Sequence, residues 1–249
     1  MIAYTILAHS NPLHLDRLVD ELKYNAHVFL NIDAPDLTQF SDACLKLQVP
    51  DFHTGDWGGF GNIKAILNLL DHAVKKDVTH VVLMSGVDYP IAPPDYIEDF
   101  FNANKDLNFM SCKKLPWLEG NKTLERIPPD FNVFFPNMTP YCGYAYWAIT
   151  KSAAEYLLES HNSRINQYIR AHITMPVEFY FQTLLANSKH KCAHHLTYYI
   201  HEEGAHSPKV LTGDEYVDAL LNNTHTDVYG EHPCLYARKF NDQSTFLME

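Results

Sequence analysis

The stretch THVVLMSGVDYP, residues 79–90, decides the fold. Residues 79–85 are mostly apolar and rich in valine, the composition of a buried strand. The run stops at Ser85-Gly86, and an acid, Asp88, follows at once. Upstream, GGFGNIKAILNLLDHAVKK (58–76) places Ile63, Ile66, Leu67, Leu70 and Val74 on one helical stripe. Before that lie a strand ending in an acid, HVFLNID (27–33), and an opening strand, AYTILAH (3–9). Leu15, Leu18, Val19 and Leu22 between them follow helical spacing. Strand, helix, strand, helix, strand predicts an α/β layer with a largely parallel sheet. Ligands of such sheets sit beyond the carboxyl ends of the strands. His9-Ser10, Asp33 and Ser85-Gly86-Val87-Asp88 should therefore line one crevice.

Downstream, PPDYIEDFFNAN (93–104) reads as a helix with proline at its start. Residues 113–140, rich in Pro, Asn and Lys, read as an irregular lid or acceptor rim. YAYWAIT (144–150) predicts a strand, KSAAEYLLESH (151–161) a helix, and PVEFYFQTLLANS (176–188) a second helix with Glu178 in its first turn. HHLTYYI (194–200) predicts a strand. Thr212 and Glu215 have capping-box spacing for a helix through Leu221.

The 249 residues suit one domain, with a nucleotide-binding half (1–110) and an acceptor-binding half (111–249). The formal charge of −11 argues against nucleic acid as a partner. It leaves room for a small basic pocket. Five scattered cysteines, at 44, 112, 142, 192 and 234, fit reduced thiols rather than a disulfide framework. The opening MIAYTILAHS lacks the features of a signal peptide, and no apolar run reaches the roughly 18 residues that span a bilayer. A cytoplasmic protein is expected, and peripheral contact with the inner face of a membrane is compatible with that.

Four groups carry candidate chemistry. Asp88 has no second acid within two positions, so it makes a poor cage for a hard cation, which wants several oxygens. A turn residue, a binder of a substrate hydroxyl and a metal ligand stay open, in that order. Glu178 lies among residues that bury, in MPVEFYFQT. It is either a first-turn acid favoured by the helix dipole or a partly desolvated general base. Arg238 and Lys239, in CLYARKFND (234–242), are either solvated charges or a site for a diphosphate. Among 15 histidines the densest group is HKCAHH (190–195). His194 and His195 on a strand would face opposite sides, which disfavours a shared metal.

These stretches also resemble a known family. IAYTILAHSNPLHLDRLVDEL, VFLNIDAPD, DWGGFGNIKAIL, LMSGVDYPI, CGYAYWAITKSAAEYLL, PVEFYFQTLLANS and CLYARKF are similar, in order, to motifs of glycosyltransferase family 14. This "Branch" family holds core-2/I-branching β-1,6-N-acetylglucosaminyltransferases and peptide O-xylosyltransferases. The resemblance implies a GT-A-like, Rossmann-related mixed sheet flanked by helices. It implies inverting transfer from a UDP-sugar, N-acetylglucosamine or xylose foremost, to a glycan or lipid-linked oligosaccharide, with no divalent metal and no other cofactor. Glu178 falls on the family's general base and Lys239 on its diphosphate contact, with Arg238 beside it. Lys209, in HSPKVLT, is the nearest match to a second family cation. Ala8, His9 and Asp33 would line the nucleotide pocket, and Ser85 and Asp88 the donor-sugar side. Trp57, Tyr144 and Trp147 are candidates for contact with the sugar and acceptor.

Two departures stand out: Val177 replaces the acid that precedes the family's base, and Tyr144 replaces a serine. With no anchor and no disulfide layout, a bacterial enzyme of surface polysaccharide synthesis is expected. The Val177 departure keeps a degenerate binding module as an alternative. A metal-dependent hydrolase using His9, Asp33, Asp88 and the His194/His195 region is another.

Overall fold

The computed structural model describes residues 1–51, 58–115, 130–161, 163–205 and 207–248. The first part runs β1 (Ile2–Ala8), α1 (Pro12–Leu22), β2 (Ala26–Ile32), α2 (Asp42–Leu47), α3 (Gly61–Val74), β3 (His80–Ser85), β4 (Asp88–Pro90), α4 (Pro94–Ala103) and β5 (Leu107–Phe109). After β6 (Lys113–Lys114) and α5 (Phe131–Phe134) come β7 (Tyr141–Cys142), β8 (Trp147–Thr150), α6 (Lys151–Ser160) and α7 (Ser163–His172). Next are α8 (Tyr180–Ala186), β9 (Lys191–Ala193), β10 (Thr197–Tyr199) and α9 (Gly213–Leu221). The hairpin β11 (Thr224–Asp227) and β12 (Gly230–Pro233) precedes β13 (Tyr236–Arg238).

A six-stranded sheet in the order β2-β1-β3-β8-β5-β9 forms the centre. β2, β1 and β3 are parallel, with Ala8 opposite Ile32 and Leu7 opposite Ser85. The chain leaves β1 for β2 on one flank and returns to β3 on the other. That reversal opens a crevice at the carboxyl ends of these strands. β8 alone runs against the others: it is antiparallel to both β3 and β5, and β9 is parallel to β5, so the sheet is mixed but largely parallel, as expected. The mixed sheet flanked by helices is consistent with a GT-A-like fold.

Strand alternation divides the core in two. Ile2, Tyr4 and Ile6 of β1 bury against Leu15, Leu18, Val19 and Leu22 of α1. Ala3, with Val81 and Leu83 of β3, meets Ile63, Ile66, Leu67 and Leu70 of α3 on the other face. Both apolar stripes seen in the sequence therefore do the packing expected of them. The capping box forms as well: Glu215 N–H donates to Thr212 Oγ1, and Thr212 N–H donates to the Glu215 carboxylate.

Three expected elements differ. Residues 176–188 split into a 3-10 turn over Pro176–Glu178 and then α8, because the left-handed Met175 (φ 54°) turns the chain sharply into the segment. Residues 194–196 belong to no strand; they bridge β9 and β10, which lie in different sheets. α7 was not foreseen, although Ile165, Tyr168 and Ile169 lie at helical spacing and are buried. No helix among the described residues is long and apolar enough to cross a membrane.

Candidate active site

The three parallel strands end at one level. Asp33 N–H donates to the Ala8 carbonyl at 2.8 Å, and Gly86 N–H donates to the Leu7 carbonyl at 2.8 Å. A cleft of about 690 Å³ opens over these ends. Its floor includes Ala8, His9, Asn31, Asp33 and Ser85. Close approach is required here: a Cβ on Gly86 would come within 2.8 Å of the Ala8 Cβ.

One wall is built from the tail of the chain. β13 pairs antiparallel with β4, which places Arg238 directly opposite Asp88. Asp88 is thus the first residue of β4, and its carboxylate also closes the turn at Gly86-Val87. Its Oδ2 accepts the Ser85 N–H at 2.8 Å, and its Oδ1 lies 3.5 Å from Arg238 Nε. That ion pair is not aligned as a hydrogen bond, so Asp88 Oδ1 and Arg238 Nε are both buried without one. Burial raises the Asp88 carboxyl above its ordinary pKa, while the guanidinium and the Ser85 N–H pull it back. The guanidinium also lies 4.5 Å over the Tyr146 ring. The peptide bond from Arg238 to Lys239 is cis, and both residues line the cleft.

The opposite wall carries Glu178, half-buried between the buried Val177 and Phe179. Its main chain is held at two points: Glu178 N–H donates to Met175 O at 3.0 Å, and its carbonyl accepts Gly143 N–H at 2.9 Å. Gly143 has to be glycine, since a Cβ there would sit 1.6 Å from Ser111 O. The fully buried Gln182 donates to Tyr144 O at 2.9 Å and to Val177 O at 3.2 Å, bracing both flanks of Glu178. Tyr144 lines the cleft and stacks on Tyr199, with centroids 4.9 Å apart at 10°. Burial pushes its phenol well above the ordinary range, against the pull of Arg238.

The structure thus brings together Ala8, His9, Asp33, Ser85, Tyr144, Glu178, Arg238 and Lys239 around one cleft. Asp88 stands behind Arg238 rather than in the lining. Lys209 is also outside the lining: its ammonium is 2.6 Å from Glu215 and 3.8 Å from Glu202. Its backbone still braces the site, because Lys239 N–H donates to Lys209 O at 3.3 Å. Trp147 is 2% exposed and packs edge-on against Phe181 within the core, away from any acceptor. Trp57 lies outside the described residues. Asn31, Asn62 and Tyr146 line the cleft but were not anticipated. Tyr146 alone carried a signal, in the alternation of YAYW. The ligand set imagined for a hydrolase is dispersed: His9 and Asp33 line the cleft, Asp88 faces Arg238, and His194 and His195 are outside the lining.

No curated protein matches the chain. The family described as Core-2/I-Branching enzyme matches residues 2–224, most of the chain and the greater part of this cleft. The chain belongs to the Core-2/I-branching enzyme family, a glycosyltransferase family.

Proposed function

We propose that the chain is an inverting, metal-independent transferase. It moves a sugar, N-acetylglucosamine or xylose foremost, from a UDP-sugar to a hydroxyl of a glycan or lipid-linked oligosaccharide. The process served is bacterial surface-polysaccharide synthesis. The supporting observation is that one cleft is lined both by the Glu178 carboxylate and by two adjacent cations, Arg238 and Lys239.

Glu178 takes the proton of the acceptor hydroxyl. The oxygen attacks the anomeric carbon from the face opposite the diphosphate, and the carbon–oxygen bond to UDP breaks. UDP leaves with the bonding electrons. Arg238 and Lys239 face the charge that develops on the diphosphate, the task a divalent cation performs in other enzymes. The buried Asp88 holds Arg238 in place. Asp33 and Ala8, at the ends of neighbouring strands, suit the uridine, and Tyr144 offers a flat face to a sugar.

The test is transfer or hydrolysis of a panel of UDP-sugars in a buffer freed of Mg²⁺ and Mn²⁺ by chelation. Turnover should persist. A loss of turnover that Mg²⁺ or Mn²⁺ alone restores would contradict the metal-independent mechanism. Nucleotide binding with no product from any donor would favour a binding module.

A further inference from the structure

Behind the Tyr144 wall lies a second constellation. His194 and His195 follow β9, and His225 reaches them from β11 of the hairpin. One ring nitrogen of each lies within 4.8 Å of the others. The rings nearly touch, with centroids 4.0 Å apart for His194–His225, 4.3 Å for His194–His195 and 4.9 Å for His195–His225. Residues 194–196 leave the strand pattern, so the two adjacent histidines turn to one side instead of straddling a sheet.

We propose that His194, His195 and His225 bind a zinc-like transition-metal ion that fastens the β9–β10 connection to the β11–β12 hairpin. The ion is structural and takes no part in sugar transfer. The donors argue for this class of metal. Three imidazole nitrogens suit Zn²⁺ and its neighbours and are poor ligands for Mg²⁺ or Ca²⁺. Tetrahedral zinc holds its nitrogens about 3.3 Å apart, so the widest spacing in the cluster, up to 4.8 Å, must close by about 1.5 Å. His225 sits on a largely exposed two-stranded hairpin that can supply this movement.

Proton placement fits two of the ligands directly. His194 Nδ1 is 3.3 Å from the His195 carbonyl, and donating there frees Nε2 for a metal. His225 is held by the Thr197 backbone, and its Nε2 is buried without a hydrogen-bond partner among the described residues. His195 is the third ligand and the costly one. Its Nδ1 accepts the Thr197 N–H at 3.2 Å, so coordination has to disrupt that contact. His195 also packs 4.5 Å from the Tyr144 ring, and through it the ion would stiffen one wall of the cleft.

The test is titration of the untagged, metal-stripped protein with Zn²⁺ against a chromophoric chelator, with the unfolding midpoint followed in parallel. One Zn²⁺ per chain should bind at submicromolar Kd and raise the midpoint. His225→Gln and His194→Gln should each weaken binding by at least about 100-fold, with His195→Gln costing less. X-ray absorption of the zinc-loaded wild type should show three imidazole nitrogens at about 2.0 Å. That measurement decides the question even if a variant fails to fold. The proposal is overturned by absent 1:1 binding, by affinity indifferent to His194 and His225, or by a shell of oxygens.

Discussion

The Asp88 carboxylate and the Arg238 guanidinium face each other at 3.5 Å, both buried, at the register where β4 meets β13. The turn after β3 and a stretch near the end of the sequence are thus joined by charge in one wall of the cleft. Removing one partner strands the other charge in a dry interior. Asp88→Asn should therefore destabilise the protein by roughly 3–5 kcal/mol in denaturant unfolding. It should also weaken UDP binding, because Arg238 loses its anchor. Unchanged stability together with unchanged UDP affinity would show that the pair does neither job.

The two lysines should separate cleanly. Lys239 lines the cleft, so Lys239→Ala should raise the Kd for UDP by about 10- to 100-fold, the worth of one charge-assisted contact. Lys209 has its ammonium on Glu215, so Lys209→Ala should leave that Kd within roughly twofold. Calorimetry with UDP on both variants checks this. A large loss at Lys209 would restore it to the diphosphate site.

Gly143→Ala cannot be accommodated without moving backbone, because its Cβ would meet Ser111 O at 1.6 Å. The shift would reach Glu178, whose carbonyl accepts the Gly143 N–H. The expected cost is about 3 kcal/mol or more, together with slowed transfer. Chemical unfolding alongside initial rates tests both parts.

Acid should weaken the fold in a defined window. Burial lowers the pKa of His14 and of His80 from 6.5 to about 4. His14 faces the Asp88 carbonyl through Nε2 at 3.0 Å, and His80 faces the Leu107 carbonyl at 3.2 Å. The His14 Nδ1 is buried without a partner, so a proton there has nowhere to bond. In this window the unfolded chain binds protons that the folded chain refuses. Stability is therefore fully present above pH 6.5 and falls as the pH drops from 6.5 to 4. The loss is on the order of 3 kcal/mol per histidine. Unfolding midpoints measured from pH 8 to 4 should be flat and then decline, and His14→Phe should shallow the decline.

The sequence made the parallel half of the fold legible because its signals are local. The stripes of α1 and α3 and the polar ends of β1, β2 and β3 sit in consecutive residues, and each does what its spacing implies. The β4–β13 pairing was not legible. Asp88 and Arg238 are 150 residues apart, and nothing in the local pattern of a three-residue strand names its partner. Lys209 illustrates the same limit from the other side: Glu215, six residues on, takes its charge, and only the turn into α9 brings the two together. His194 and His195 were set on opposite faces by assuming a strand that the change from one sheet to another interrupts. Trp147 sits inward because β8 is a central strand, buried on both faces.

The central claim is that Glu178 is the base of a sugar transfer carried out in this cleft. The most direct measurement compares turnover and UDP affinity of Glu178→Gln with those of the wild type, on the donor that gives product. The amide keeps the shape and cannot take a proton, so turnover should fall by about 100- to 10,000-fold while UDP affinity and the unfolding midpoint hold. Near-normal turnover in a folded Glu178→Gln protein would contradict the account.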